Sequence, residues 1–142
     1  ITRAARPQTE LLDASDFEAS LLALAGSDGL VFYNGGAEAG ASQAHKHLQH
    51  VPLPLAPGVA PLPFAPVLQR SALGEGIGRS GELPFAHALA PVPRAWWHAP
   101  HAHARTALKT WRDLWRALGH EIPESGEQPR PYNLLLTRGW MW

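Results

Sequence analysis

A row of alternating side chains could perform chemistry on a phosphate group. His45, His47 and Gln49 recur at every second position. In a strand, such side chains leave one face at steps of roughly 6.6 Å, whereas on a helix they point in widely different directions. We therefore predict a strand over residues 43–53 that presents two imidazoles and an amide on one face, with Lys46 and His50 on the other. An imidazole nitrogen can act as a nucleophile.

The four residues Gly40, Ala41, Ser42 and Gln43 come just before this row. Small residues leave backbone N–H groups exposed, and a hydroxyl and an amide add further donors, which together suit a phosphate. A His-x-His pair alone is more often a surface feature or a metal site than a nucleophile. The preceding stretch favours phosphate chemistry, because it places a nitrogen nucleophile beside a phosphorus electrophile and such transfer needs mainly positioning and charge neutralisation.

The stretch Gly-Ala-Ser-Gln-Ala-His-Lys-His-Leu-Gln at 40–49 has Asn34 before it and Tyr-Asn-Leu-Leu-Leu-Thr-Arg at 132–138 after it. This arrangement resembles the ATP adenylyltransferases, also called diadenosine tetraphosphate phosphorylases, of the histidine-triad superfamily. Pro7-Gln8, Leu83-Pro84-Phe85-Ala86-His87 and Trp140-Met141 extend the resemblance over nearly the whole chain.

The resemblance implies an enzyme in which His47 attacks the α-phosphate and forms an adenylyl-histidine, flanked by His45 and Gln49. Gln49 stands where small histidine-triad hydrolases carry a third histidine. An amide can bind phosphate oxygens but cannot act as an acid. The resemblance therefore implies a nucleotidyltransferase that splits diadenosine tetraphosphate with inorganic phosphate, and that makes it from ATP and ADP in reverse.

The resemblance also implies a set of substrate contacts. Phosphate groups would dock on residues 40–43, and Asn34 would position the ribose or brace the loop. Asn133, Thr137 and Met141 would line the base end. The expected partners are adenine nucleotides and inorganic phosphate, with no tightly bound cofactor or metal and with Mg²⁺ arriving only with the nucleotide. The protein would be a monomer or a homodimer.

Three alternatives stay open beside this interpretation. One is a nucleotide-binding module without turnover, and another is a related nucleotidyl hydrolase. The third is a hexose-1-phosphate uridylyltransferase, a family that typically has proline between the two histidines and cysteine-bearing metal sites. Here Lys46 takes the place of that proline, and the chain has no cysteine.

Composition sets broad limits on the function. Twelve basic and twelve acidic residues cancel, so no charged field indicates a nucleic-acid or membrane partner. The absence of cysteine excludes disulfides and thiolate sites and suits a reducing cytoplasm. At 142 residues the chain predicts one histidine-triad-like domain over 1–142. We expect it to be incomplete at both ends, because each end falls in a predicted strand.

The order of predicted elements indicates an α+β fold, an antiparallel sheet covered by two main helices. The helices are expected at 12–26, with a capping box from Ser15 and Glu18, and at 100–118, with a short one at 66–73. Strands are expected at 30–33, 43–53, 83–89 and 132–138. Trp96, Trp97, Trp111 and Trp115 are expected in the core, or in an exposed patch used in pairing, rather than in a base-stacking platform. His87 is expected as a structural histidine. His98, His101 and His103 do not converge on a metal site.

Overall fold

The computed structural model describes residues 1–70 and 76–142, and within them it contains a five-stranded antiparallel sheet. The sheet has the order β2-β1-β4-β5-β3. The strands are β1 (Gly29–Gly35), β2 (Gln49–Pro52), β3 (Ala90–Pro91), β4 (Tyr132–Leu136) and β5 (Trp140–Met141). The prediction of an α+β fold built on an antiparallel sheet is confirmed.

Helices α1 (Ala14–Gly26) and α4 (Pro100–Ala117) pack against each other and cover one face of the sheet. The shorter α2 (Ala65–Arg70) and α3 (Ala95–His98) complete the described helices, beside a single 3₁₀ turn (Ala37–Ala39). The predicted end of α2, residues 71–73, lies outside the described residues. None of the helices described is long and apolar enough to cross a membrane.

The start of α1 differs from the prediction. Asp13, not Ser15, is the N-cap residue, and its side chain accepts hydrogen bonds from the backbone N–H groups of Ser15 and Asp16. The Asp16 carboxylate in turn accepts a hydrogen bond from the backbone N–H of Asp13 at 2.9 Å, which completes a capping box. The sequence pattern misled because aspartate replaces both the usual Ser or Thr and the usual Glu or Gln.

The two faces of the sheet have different surroundings. Val31 and Tyr33 in β1 are buried against the helices together with Leu134 and Leu136 of β4. The alternate residues point to the other side, which we call the open face. Phe32 lies opposite both Gln49 and Leu135, and Asn34 lies opposite Asn133. The register therefore brings Gln49, Asn34 and Asn133 onto the open face.

Two predicted strands are shorter than expected. The ladder of β2 begins at Gln49 rather than at residue 43. Residues 44 and 46 bond to the N-terminal segment instead, since Gln8 N donates to Ala44 O at 2.8 Å and Lys46 N donates to Arg6 O at 2.8 Å. Of the predicted strand 83–89, only Leu89 forms a bridge, with Gly78. Pro84 has no N–H to donate to a ladder. The strand that joins the sheet here is Ala90–Pro91.

The four tryptophans expected in the core lie in it wholly or in part. Trp96, Trp111 and Trp115 are buried, and Trp97 packs partly against them. His87 is also buried. Its Nε2 accepts from Ser80 N at 2.8 Å, and its Nδ1 donates to Phe85 O at 2.7 Å, so both ring nitrogens have partners. The expectation that neighbouring groups satisfy His87 agrees with these bonds.

Candidate active site

The segment between the glycine-rich loop and β2 alternates as a strand does, although it lies outside the ladder. His45 and His47 are half-buried, whereas Lys46 between them is fully buried. Lys46 Nζ lies 2.5 Å from Asp16 Oδ2 and donates to Leu11 O at 2.7 Å. The histidines and the lysine therefore leave opposite sides of the backbone, as the period of two predicts.

The hydrogen-bond partner of His47 distinguishes its two ring nitrogens. Nδ1 lies 2.9 Å from the backbone carbonyl oxygen of His45. A carbonyl oxygen only accepts, so Nδ1 carries the proton and donates it. Nε2 then carries the lone pair in the neutral ring. The same bond would stabilise the positive charge that develops on the ring when Nε2 forms a covalent bond.

His45 is held by the N-terminal segment. Its Nε2 lies 2.9 Å from Thr2 Oγ1 and 3.2 Å from Ala4 O. Thr2 N donates to Lys46 O at 3.1 Å, so the same segment also bonds to the backbone between the two histidines. The first residues of the chain thus contribute to the site, although the sequence offered no motif there.

Arg6 fixes this N-terminal segment to the start of α1. Its guanidinium bonds Glu10 through two nitrogens at 2.8 Å and Asp13 at 2.8 Å. The hydrogen bond from Arg6 lowers the pKa of the Glu10 carboxyl below its usual value. Partial burial opposes ionisation of Asp13, yet its bonds to Arg6 and to the Asp16 backbone leave its pKa lowered as well.

Asn34 and Asn133 face each other on the open face and hold the loop between β1 and the histidines. Asn133 Nδ2 donates to Asn34 Oδ1 at 2.9 Å and to Ala39 O at 2.8 Å. Asn34 Nδ2 in turn lies 3.4 Å from Gly40 O. Gly40 has a φ of +94°, a conformation that side chains other than glycine rarely adopt. The prediction that Asn34 braces the loop agrees with these contacts.

The loop offers fewer free backbone donors than the sequence suggested. Gly40 N donates to Ala37 O at 2.9 Å, and Ala41 N donates to Gly36 O at 3.1 Å. These two N–H groups close the turn and would have to leave it to bind a phosphate. Ser42 and Gln43 are exposed. Ser42 and Gln43 are therefore the better phosphate-binding candidates of the four.

The residues expected at the base end divide between the two faces. Met141 is fully buried and pairs with Ala90 and Leu136, so it belongs to the core rather than to a substrate surface. Its predicted role is corrected for that reason. Thr137 is nearly buried, and its hydroxyl accepts from Gly139 N and Trp140 N in the turn between β4 and β5. Only Asn133 of the three is exposed.

An apolar cleft on the open face was missed in the sequence. It has a volume of about 220 Å³. Leu30 and Leu135 line it from the sheet, and Phe64 and Trp142 line it from the sides. The rings of these two aromatic residues meet edge to face at 5.2 Å. The available signal was that β1 and β4 are apolar at every position from Leu30 to Tyr33 and from Leu134 to Leu136, which indicates contacts on both faces.

The second group of histidines does not join the site. His101 Nδ1 lies 2.6 Å from Glu18 Oε1, which links α4 to α1 at the surface. Within the described ranges, no three His, Cys, Asp or Glu side chains come close enough together to hold a metal ion.

Residues 1–70 match the family described as "Ap4A phosphorylase N-terminal domain", where Ap4A is diadenosine tetraphosphate. This match confirms the resemblance to the Ap4A phosphorylases. A search of curated proteins found no match.

Solved structures of yeast Ap4A phosphorylase Apa2 agree with that family. The first is 25% identical to this chain and has a TM-score of 0.71. The match covers 99% of this chain and 49% of that chain. A structure of Apa2 in complex with Ap4A has 24% identity and a TM-score of 0.71, again with 99% of this chain and 49% of that chain covered. A complex with AMP has 27% identity and a TM-score of 0.68, with 99% and 48% covered.

The likeness to Apa2 shows that the α+β arrangement is the histidine-triad-like fold of the Ap4A phosphorylases. The chain spans about half the length of these relatives.

Proposed function

We propose that this protein transfers the adenylyl group of Ap4A to inorganic phosphate through a covalent bond to His47. The single observation that carries the proposal is the bond from His47 Nδ1 to the His45 carbonyl. It leaves Nε2 unprotonated in the neutral ring, as a nitrogen nucleophile must be. The family match and the structural likeness to Ap4A phosphorylase support Ap4A as the substrate.

In the first half of the reaction, the lone pair of Nε2 attacks the phosphorus of an α-phosphate. The bond from that phosphorus to the bridging oxygen breaks, and the oxygen leaves as part of ATP. No proton leaves the ring, because Nδ1 keeps its proton and shares it with the His45 carbonyl. The exposed hydroxyl of Ser42 and the amide groups of Gln43 and Gln49 can donate to the phosphate oxygens.

In the second half, an oxygen of inorganic phosphate attacks the same phosphorus. The P–N bond breaks, the electron pair returns to Nε2, and ADP leaves. The sum is conversion of Ap4A and phosphate to ATP and ADP, and the same steps in reverse make Ap4A from ATP and ADP. Gln49 favours this outcome, since an amide cannot remove a proton from water to start hydrolysis.

The apolar cleft is a suitable place for the adenine base. Leu30 and Leu135 form its floor on the same face as Asn34 and Gln49. At about 3.3 Å per residue, Leu135 lies roughly 6.6 Å along the strand from Asn133 and Leu30 lies roughly 13 Å from Asn34, distances that a nucleoside can span. A flat apolar ring next to Phe64 and Trp142 would replace water there.

The test is to incubate the protein with Ap4A that is labelled in the adenine, and to follow the label into protein and products. We expect an acid-labile adenylyl group on His47, its loss in His47→Ala, and its discharge to ADP by phosphate. Release of AMP without phosphate as fast as ADP with it would identify a hydrolase instead. Tight nucleotide retention with no labelled protein would identify a binding module.

A further inference from the structure

The side chain of Gln8 lies where the ladder between β1 and β2 would continue to the nucleophile. The register places Phe32 opposite Gln49, so the pair after next is Asn34 and His47. Leu53 N donates to Asp28 O, and hydrogen-bonded pairs alternate along an antiparallel ladder. By this alternation, Asn34 and His47 would form a hydrogen-bonded pair, with His47 N–H donating to Asn34 O.

Instead, the amide of Gln8 is inserted between these two groups. Its Oε1 accepts from His47 N at 2.8 Å, and its Nε2 donates to Asn34 O at 2.9 Å. Nε2 also lies 3.3 Å from His47 O. One side chain therefore satisfies both groups that a ladder bond would have joined, and it separates the two backbones by the width of an amide.

Gln8 is itself firmly held. It is 4% exposed, its backbone N donates to Ala44 O at 2.8 Å, and its carbonyl accepts from the Tyr33 hydroxyl. A buried amide with both ends bonded has little freedom to move. The backbone of His47 thus depends on Gln8 rather than on the sheet for its position.

We propose that Gln8 is a positioning residue that sets the place of the His47 ring relative to Asn34 by inserting its amide into the ladder. The inference rests on the proposed role of His47 as the nucleophile. Gln8 touches neither the ring of His47 nor the expected place of the phosphate. Its effect passes through the backbone, and a shift of about 1 Å in a reacting group can lower the rate about a hundredfold.

Gln8→Leu is the main test, because leucine has a similar size but leaves His47 N and Asn34 O without partners. Gln128→Leu is the matched control. Gln128 Nε2 donates to Gly35 O at 2.6 Å, so this half-buried amide bonds to the same strand one carbonyl further along and makes no bond to His47. Gln8→Glu is the second variant, since a carboxylate keeps the acceptor for His47 N and loses the donor.

Three measurements are made on each variant that folds: the rate of His47 adenylylation at saturating Ap4A, the KM, and the hydrogen exchange of the His47 amide by NMR. We expect Gln8→Leu and Gln8→Glu to lose about a hundredfold in rate with a KM within threefold of the wild type. The Gln128→Leu rate should stay within threefold. Should Gln8→Leu fail to fold, Gln8→Glu decides by the same criteria.

Equal losses in the Gln8 and Gln128 variants would overturn the proposal, and so would an unchanged rate. If the wild type forms no adenylyl-protein, the proposed function fails, and the exchange measurement still decides on Gln8. The His47 amide should then exchange at least tenfold faster in Gln8→Leu, which has lost the acceptor, than in the wild type and in Gln128→Leu. Equal exchange in all of them would refute the insertion of Gln8.

Discussion

In the proposed mechanism, Gln49 is the residue that would distinguish transfer to phosphate from transfer to water. It is exposed on the open face opposite Phe32, two residues after His47. Its amide can hold phosphate oxygens in one orientation, but it neither gains nor loses a proton at physiological pH. An imidazole at the same place could do both.

Gln49→His should therefore shift the product from ADP towards AMP. The new ring could act as a general base on water, a role that typically contributes about a hundredfold or more. The measurement is the AMP to ADP ratio from labelled Ap4A at fixed phosphate, and we expect it to rise at least tenfold. Gln49→Met, which has neither donor nor acid, is the control and should lower both products. An unchanged ratio in Gln49→His would show that Gln49 does not select the acceptor.

The motif residues could be predicted from sequence, because a period of two is readable without a structure. The alternation of His45, Lys46 and His47 is found as predicted, although it arises outside the ladder. Gln8 could not be given a role in this way. It lies 39 residues before His47, and its role depends on a three-dimensional gap of one amide width.

At the scale of elements, the buried ion pair between Lys46 and Asp16 joins the histidine segment to helix α1. The Lys46 side chain is 0% exposed and that of Asp16 is 5% exposed. Removing one partner of such a pair leaves a buried charge without compensation, which costs about 3–5 kcal/mol. The pair thus links the stability of the fold to the segment that carries His45 and His47.

Lys46→Met should lower the free energy of unfolding by about 3–5 kcal/mol, measured by urea denaturation. Lys109→Met is the control. Lys109 also forms an ion pair, with Asp113 at 2.6 Å, but it is 74% exposed, and its loss should cost less than about 0.5 kcal/mol. Adding Asp16→Asn to Lys46→Met should recover part of the loss, because it removes the orphaned charge. Similar costs for Lys46→Met and Lys109→Met would contradict a buried pair.

The link through Arg6 should depend on pH. The native pKa values of Glu10 and Asp13 lie below their ordinary values of 4.5 and 3.8, so their ionised forms stabilise the fold. This stability is present above the ordinary values and disappears as the pH falls through the lowered ones. Arg6→Met should lower Tm by about 2–4 °C at pH 7, and the difference should shrink on acidification below about pH 4.

Differential scanning calorimetry from pH 7 to pH 2.5 would show this convergence. Arg3→Met is the control, because Arg3 is exposed in the same segment. Its Tm should stay parallel to that of the wild type. A Tm difference for Arg6→Met that grew as the pH fell would mean that another group controls the effect.

The regular elements with strong periodicity could be predicted, and the irregular ones could not. Helix α4 begins at Pro100 as expected, since proline suits the first helical position. The second strand was predicted to begin at residue 43, but its ladder begins later. The backbones of residues 44 and 46 bond to residues 8 and 6, in a segment that has no strand pattern of its own. Tertiary pairing, rather than propensity, decides the limits of β2.

At the scale of the molecule, the core and the candidate site lie on opposite faces of the sheet. One face is covered by α1 and α4, and the other carries the asparagine pair, Gln49 and the apolar cleft. Near Leu30 and Leu135, both faces of β1 and β4 carry apolar side chains, but the two faces have different surroundings. One side fills the core, and the other is available to a ligand.

Phe64→Ala should raise the KM for Ap4A about tenfold with little change in kcat, because the cleft would lose an aromatic wall. Phe85→Ala is a close control. Phe64 and Phe85 are 43% and 51% exposed, and both rings contact Trp142, at 5.2 and 6.2 Å. Phe64 lines the cleft, whereas Phe85 is absent from its lining. Steady-state kinetics of both variants would decide, and equal increases in KM would place the base elsewhere.

The alternation around Lys46 also has a consequence for how such a gene can vary. Inserting or deleting one codon between the glycine loop and β2 would rotate every following side chain to the opposite side. The ammonium group would face solvent, and an imidazole would meet the carboxylate of Asp16 in the interior. Fold and chemistry would fail together, so length changes should be tolerated in the proline-rich stretch after Pro52 and excluded from residues 41–49.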